Sequence, residues 1–185
     1  MDPQNVRDFA RRHEPKGHLG VLEAALWYLA KEAPYGGTVI PPELETLDLN
    51  PYLLRVYLLA ERLELGGSDV RPYLHHFFRG DRDRDYHNHP WRISYSWILT
   101  GGYSEEKWNP ETKQIDTRVF RPGAFNVIRR DDYHKVTLLE PEKGCWTLFV
   151  SVDRLSESNG FDWEFLDIET GKKTPWGLYQ QGKAP

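Results

Sequence analysis

Residues 85–91 read Asp85-Tyr86-His87-Asn88-His89-Pro90-Trp91 and carry two histidines one residue apart. Alternate residues of a β-strand project from the same face, so these two imidazoles can converge on one metal ion. A third histidine, His134, ends a second strand-like segment, residues 125–134. The pair alone has an alternative interpretation, because histidines at this spacing also occur by chance on solvated strands. Together the three histidines predict a metal centre with His87, His89 and His134 as its ligands.

The histidines and the glycines around them resemble the two sequence motifs of the cupin superfamily. His87 and His89 fill the histidine pair of the first motif, and Gly101 closes it. Gly123 opens the second motif, and His134 supplies its histidine. The resemblance implies a double-stranded β-helix, or jelly-roll barrel, that holds the metal ion inside.

Several positions depart from the cupin motifs. Gly80 lies one residue early, Ser94 occupies the usual glutamate position, Arg129 and Asp131 replace a proline and a glycine, and Leu138 replaces an asparagine. The serine matters most, because the resemblance then implies three histidines without a carboxylate. Some cupins have this ligand set, among them the thiol dioxygenases. We therefore expect that Ser94 is not a ligand.

Further strings are similar to those of a subgroup of small bacterial cupins marked by HxHPW. They are Tyr73-Leu74-His75-His76-Phe77, His87-Asn88-His89-Pro90-Trp91, Leu99-Thr100-Gly101-Gly102-Tyr103, Arg121-Pro122-Gly123 and Cys145-Trp146-Thr147-Leu148-Phe149. The resemblance covers about residues 52–165. It implies a fold and a metal site, and it names no substrate.

Composition predicts one soluble domain. The chain has 185 residues, long enough for one sizeable core and short for two domains. A mean hydropathy of -0.68 and the lack of a long apolar run argue against a membrane partner. The first residues lack the apolar core of a signal peptide, so we expect a cytoplasmic protein. A single cysteine excludes an intrachain disulfide, and a net charge of -4 gives no reason to expect nucleic acid.

Three regions are predicted along the chain. Residues 1–51 form an N-terminal helical and extended arm, residues 52–168 the cupin barrel, and residues 169–185 a polar C-terminal tail on the surface. The arm contains a helix near residues 18–33 whose leucines recur at helical spacing and predict a stripe that packs on the barrel. These leucines are Leu19, Leu22, Leu26 and Leu29. An extended connector follows from Pro41-Pro42 to Asn50-Pro51.

The barrel region has the pattern of many short strands, which predicts an all-β fold with an N-terminal helix, either a closed barrel or a two-sheet jelly roll. Residues 53–64 also suit a short helix, because they contain good helix formers, but we favour a strand. The expected strands cover residues 52–60, 70–78, 91–100, 102–108, 115–121, 124–130, 134–140, 145–152 and 161–166.

Three imidazoles suit several divalent metals, namely iron, zinc, nickel, manganese and copper. We favour Fe(II), because three protein ligands leave positions open for a substrate and dioxygen, whereas zinc would favour activation of water. The favoured function is a mononuclear non-haem Fe(II) oxygenase, a dioxygenase-type oxidoreductase, that acts on a small polar or anionic substrate. The alternatives are a non-redox isomerase, epimerase or hydrolase, and a small-ligand-binding module without catalysis.

Candidate substrate-binding residues lie near the predicted ligands. An inward Arg92 or Arg129 could clamp a carboxylate or phosphate, although an outward, solvated arginine is the usual case. Trp91 and Tyr103 could wall a pocket, although strand aromatics are usually core. A buried, inert thiol is the favoured interpretation of Cys145. The expected partners are a small-molecule substrate and a second copy of the chain, because an edge strand in the N-terminal half is available for a homodimer.

Overall fold

The computed structural model describes residues 3–40, 51–81, 86–155 and 163–182. The connector predicted at residues 41–51 lies almost entirely outside them. In chain order the elements are α1 (Pro3–His13), α2 (Val21–Glu32), β1 (Gly37–Ile40), β2 (Leu53–Tyr57), β3 (Leu63–Leu65), β4 (Ser68–Phe77), β5 (Tyr86–His87), β6 (Trp91–Thr100), β7 (Tyr103–Asn109), β8 (Gln114–Phe120), β9 (Phe125–Arg129), β10 (His134–Leu138), β11 (Cys145–Arg154), β12 (Glu164–Leu166), β13 (Lys173–Pro175) and α3 (Trp176–Gly182).

The strands form two antiparallel sheets. The first has the order β1-β2-β4-β11-β6-β9, with β3 paired to β4, and the second has the order β13-β12-β5-β10-β7-β8. This architecture confirms the predicted all-β, two-sheet jelly roll with helices at its N-terminal end. Strand β2 also resolves the ambiguity of residues 53–64 in favour of a strand, because its residues pair with β4.

Strand alternation divides the first sheet into an inner and an outer face. Tyr73 pairs with Phe149, and His75 pairs with Thr147, so these side chains share the inner face. The outer face is apolar and lies under α1 and α2, where one core cluster joins helix and strand residues. It contains Val6, Phe9, Ala10, Leu26, Trp27, Ala30, Leu54, Val56, Leu74 and Trp146.

Helix α2 packs on the barrel, but the predicted leucine stripe is wrong in detail. Leu22 and Leu29 are 52% and 51% exposed, whereas Leu26, Trp27 and Ala30 are buried. The indole of Trp27 is the largest apolar side chain of the helix, so its burial removes the most apolar surface from water. The side of the helix that carries Trp27 therefore faces the sheet. Helix α1 was not predicted, because its few apolar residues are separated by charged ones.

The segment predicted as a polar surface tail is partly structural, which corrects that prediction. Strand β13 pairs with β12 along its length. Tyr179 of α3 is buried, and its ring stacks on that of Phe165 with centroids 3.8 Å apart. The apolar side chains of this short segment are too few to show a periodic pattern, so the sequence suggested only a tail.

The closing glycine of the first motif has a steric role. Gly101 has a φ of 70°, and a Cβ atom there would lie 2.2 Å from the carbonyl oxygen of Gly144. Only glycine therefore allows the tight turn between β6 and β7.

Within the described residues, no helix is long and apolar enough to cross a membrane.

Candidate metal centre

The structure brings the three predicted histidines together inside the barrel. His87 ends β5, and its Cα pairs with that of His134 at the start of β10. His89 follows in the turn before β6, so it does not share a strand with His87 as expected. The turn is fixed by Asn88, whose Oδ1 accepts a hydrogen bond of 2.8 Å from the backbone nitrogen of Glu164. Two neighbouring strands and one turn therefore present the imidazoles to one point.

The donor set fits a single metal ion. The Nε2 atoms of His89 and His134 are 2.9 Å apart, and the three imidazole nitrogens lie within 4.8 Å of one another. Two nitrogens bound at about 2.1 Å and at a right angle to one ion would be about 3.0 Å apart. Burial, together with His134 and His87, holds the pKa of His89 well below its ordinary value. The imidazole is therefore neutral, which is the form that binds metals.

A buried carboxylate that the sequence analysis missed orients His134. Glu105 Oε1 accepts a hydrogen bond from His134 Nδ1 at 2.6 Å and another from Asn126 Nδ2 at 2.9 Å. Burial alone would raise the pKa of Glu105, but these two bonds outweigh it and hold the pKa below its ordinary value. The ionised carboxylate keeps the proton of His134 on Nδ1, so its Nε2 lone pair is available to a metal.

A second carboxylate lies behind His87. Asp81 Oδ2 is 3.9 Å from His87 Nδ1 and accepts a hydrogen bond of 2.7 Å from the backbone nitrogen of Val136. Its Oδ1 accepts one of 2.7 Å from the hydroxyl of Tyr52. These bonds fix the acid beside the histidine. Two of the three histidines thus have a carboxylate beside the ring.

The position that cupin glutamates usually occupy holds a serine with a different role. Ser94 is fully buried, and its hydroxyl donates a long hydrogen bond of 3.4 Å to the carbonyl oxygen of Ile128. In the cupin motif an acid is expected only at this position. A signal for Glu105 was available nevertheless, because it is two residues from Tyr103 on a predicted strand and therefore faces the same way.

Aromatic side chains enclose the histidines. Trp91 is buried, and its ring stacks on that of His89 with centroids 5.5 Å apart. Trp163 lies edge-on to His87 at 5.5 Å and parallel to His89 at 6.4 Å. Tyr103 is also buried, and its hydroxyl accepts a hydrogen bond of 3.2 Å from Asn126 Nδ2, which links it to Glu105. Of the two predicted wall residues, Trp91 contacts a histidine and Tyr103 supports Asn126.

The two arginines predicted to bind substrate point elsewhere, which corrects the hypothesis of an inward clamp at these positions. Arg92 is 56% exposed, and its Nε donates a hydrogen bond of 2.7 Å to Asp153 Oδ2. Arg129 is exposed, because strand alternation places it opposite the buried Asn126 and Ile128 on β9. Both therefore follow the usual behaviour of a strand arginine.

A different arginine, Arg55 of β2, faces the interior. Its Nε donates a hydrogen bond of 2.9 Å to His75 Nε2. Its Cζ lies 5.0 Å from the ring centroid of Tyr73 and 5.6 Å from that of Trp91. Burial and the positive charge of Arg55 hold the pKa of His75 well below its ordinary value, so this histidine is a neutral acceptor. The sequence did not predict that the Arg55 side chain faces inward. Residues 53–64 suit either a helix or a strand, and the two differ in where they direct this side chain.

The other predicted side chains have structural roles. His75 and His76 face opposite ways, as neighbours on a strand must: His75 turns inward, and His76 packs between Trp27 and Trp146 under the helices. Cys145 is buried, and burial raises the pKa of its thiol to about 12. It is therefore the inert thiol that was predicted.

No family model and no curated protein matches the chain. Solved structures match it at low identity. An oxalate oxidase in complex with glycolate is 21% identical, with 46% of this chain and 42% of that one covered and a TM-score of 0.36. KdgF from Halomonas sp. is 19% identical, with 63% and 94% covered and a TM-score of 0.42. Oxalate decarboxylase from Bacillus subtilis is 12% identical, with 72% and 29% covered and a TM-score of 0.43.

These matches extend to less than half of the oxalate oxidase chain and less than a third of the oxalate decarboxylase chain. At these identities and TM-scores the matches carry no argument about family or activity. The architecture itself rests on the two antiparallel sheets and on the histidine cluster between them. Both agree with what the cupin resemblance implied, namely a two-sheet jelly roll with a histidine cluster inside.

Proposed function

We propose that this cupin-type barrel is a metal-dependent enzyme, a mononuclear non-haem Fe(II) oxygenase that acts on a small anionic substrate. The observation that carries the proposal is the cluster of His87, His89 and His134, in which His87 and His134 are buried and His89 is half-buried, and whose ligand nitrogens lie within 4.8 Å of one another. Three imidazole ligands without a carboxylate ligand leave coordination positions open for a substrate and a second reactant. A bound Fe(II) ion would supply Lewis acidity and redox chemistry at this point.

The residues of the chain prepare the site before any substrate arrives. Glu105 holds the ring of His134, and Asp81 lies beside His87, so two ligands keep their orientation. The indoles of Trp91 and Trp163 lie parallel to the half-buried ring of His89 and limit its exposure to solvent. A site with little water strengthens the electrostatic interactions within it.

Metal content is the first test. Protein purified without chelators should contain about one metal ion per chain, and His134→Ala should lose it while the barrel remains folded. His18→Ala is the matched control, because His18 is exposed on the chain before α2. A His134→Ala protein that retains full metal content would contradict the assignment.

Oxygen consumption is the second test. Metal-free protein is loaded anaerobically with Fe(II) or with zinc and mixed with a panel of small carboxylic acids in an oxygen electrode. We expect oxygen uptake only with Fe(II) and only with a subset of the acids. Turnover of an acid by the zinc form without oxygen uptake would instead support the non-redox isomerase, epimerase or hydrolase. Loss of uptake in His134→Ala, with no loss in His18→Ala, assigns the activity to the cluster.

A further inference from the structure

Arg55 places a positive charge on the inner face of the first sheet. It pairs with His75 of β4, so both side chains stand on the same side. Tyr73 and Phe149, which pair with each other, are the neighbouring residues of that face. The guanidinium therefore lies among aromatic rings, where it is half-buried.

Among the described residues, most of the hydrogen-bonding capacity of Arg55 is unused. A guanidinium has five N–H donors, and within these residues only the Nε donor is bound, to His75 Nε2. Within the described ranges nothing accepts a hydrogen bond from its two Nη atoms. His75 also stacks on Phe149 with ring centroids 4.7 Å apart, so it fixes the plane of the guanidinium. The donors of both Nη atoms are thus held in the fork geometry that matches a carboxylate.

The interior acids do not neutralise this charge. Glu105 is bound to His134, and Asp81 lies beside His87, so both belong to the histidine cluster. In the part of the chain that the structure describes, no aspartate or glutamate forms an ion pair with Arg55. A second cation, Arg71, has its Cζ 5.8 Å from the Tyr73 ring, and its buried Nε has no hydrogen-bond partner there. Counted over the described residues, this part of the interior consequently has an excess of positive charge.

The arginine and the histidine cluster share one wall. The indole of Trp91 is 5.6 Å from Arg55 Cζ and 5.5 Å from the ring centroid of His89. Phe149 is a second shared neighbour, since it contacts His75, Trp91 and His89. A small molecule held by the guanidinium would therefore be close to the metal centre.

We propose that Arg55 is the substrate-binding residue of the site, and that its Nη donors bind the carboxylate of a small monocarboxylate whose other end is directed to the histidines. The direction of the reacting end rests on the proposed function, whereas the binding of the carboxylate does not. A carboxylate is chosen over phosphate because one planar fork satisfies both of its oxygens, while a phosphate dianion needs further donors.

The test is calorimetric titration of metal-free and zinc-loaded protein with acetate, glycolate, benzoate and inorganic phosphate. Arg55→Met removes the charge and keeps the bulk of the side chain, and Arg55→Lys keeps the charge without the fork. Arg92→Met is the matched control, because it removes an arginine from the exposed surface of the same sheet. Metal content and thermal unfolding are measured for each variant. If Arg55→Met does not unfold cooperatively, the carboxylate affinity of Arg55→Lys is compared with that of the wild type.

We expect at least one carboxylate to bind the metal-free wild type about 30-fold more tightly than it binds Arg55→Met. This corresponds to about 2 kcal/mol, the low end for a charge pair that loses one partner, because Arg55 is half-buried. Arg92→Met should equal the wild type, and Arg55→Lys should fall between. Equal affinity in wild type and both Arg55 variants, no carboxylate binding in either form, or tighter binding of phosphate would overturn the proposal. The metal content of His134→Ala is a separate measurement from carboxylate binding to metal-free protein. The proposed function can therefore fail while carboxylate binding by Arg55 is supported.

Discussion

Replacement of Glu105 by glutamine should weaken metal binding while leaving the barrel intact. The two side chains have nearly the same shape, and an amide oxygen can accept the hydrogen bonds that His134 and Asn126 now donate to Glu105 Oε1. The change therefore removes one negative charge and little else. Any loss of affinity then reports on the charge behind the imidazole.

The structure sets the size of this effect. The bond from His134 Nδ1 is 2.6 Å long, and Glu105 is only 4% exposed, so solvent screens the carboxylate little. Loss of such an acid behind a metal-bound histidine typically reduces metal affinity by about 10–100-fold, or about 1.4–2.7 kcal/mol. Because glutamine keeps the hydrogen bond, we expect about tenfold for Glu105→Gln. We expect about 100-fold for Glu105→Ala, which also leaves two donors unpaired.

Competition for zinc with a chromogenic chelator measures these affinities, and chemical denaturation shows whether each variant is folded. Glu106→Gln is the matched control, because Glu106 is exposed on the same strand and accepts a hydrogen bond from Tyr86 at 2.9 Å. Its zinc affinity should equal that of the wild type. A folded Glu105→Gln protein with unchanged affinity would refute the reasoning that the buried carboxylate tunes His134.

Two further predictions concern other buried positions. Ser94→Glu should weaken the binding of small carboxylates to metal-loaded protein, because an added acid would occupy a coordination position and repel anions; titration against a Ser94→Ala control measures it, and unchanged affinity with the glutamate shown to bind the metal would contradict it. Burial lowers the pKa of His76 to about 3, so the unfolded chain binds its proton between about pH 6.5 and 3 and the folded chain does not. Stability is therefore lost as the pH falls, by about 2 kcal/mol between pH 6.5 and pH 5. Urea unfolding at pH 7 and pH 5 should show this loss in the wild type and less of it in His76→Phe; an equal loss in both would assign the pH dependence to other groups.

The barrel could be predicted because apolar and polar residues alternate within each short strand, and this pattern is visible in the local sequence. The strands at residues 91–100 and 145–152 appear as β6 and β11, and they pair along most of their length in the centre of the first sheet. The histidines could be predicted for a related reason, since the pair and the downstream histidine have the spacing of two cupin motifs. These features depend on residues that are close in sequence or have a fixed spacing.

The buried faces of the helices and of the C-terminal segment were harder to predict from the sequence, because tertiary contacts decide which face is buried. On α2 the four leucines suggested a stripe, but the sheet accepts Trp27 and leaves Leu22 in solvent. In the C-terminal segment, Tyr179 is buried only because Phe165 lies beneath it. Neither contact can be read from local periodicity.

The arginines show how the charge of a site depends on the partner strand. Arg92 and Arg129 were candidates because they are near the ligands in sequence. In the structure, Arg92 donates a hydrogen bond to Asp153 at the surface, and strand alternation directs Arg129 outward. Arg55 precedes the first motif by many residues, and it enters the interior because β2 pairs with β4 in the register that sets it beside His75. Glu105 and Asp81 place negative charge behind the histidines, so an anion near the metal gains further attraction from a cation of the opposite sheet. Arg55 supplies such a cation, and its position follows from sheet register rather than from the metal motif.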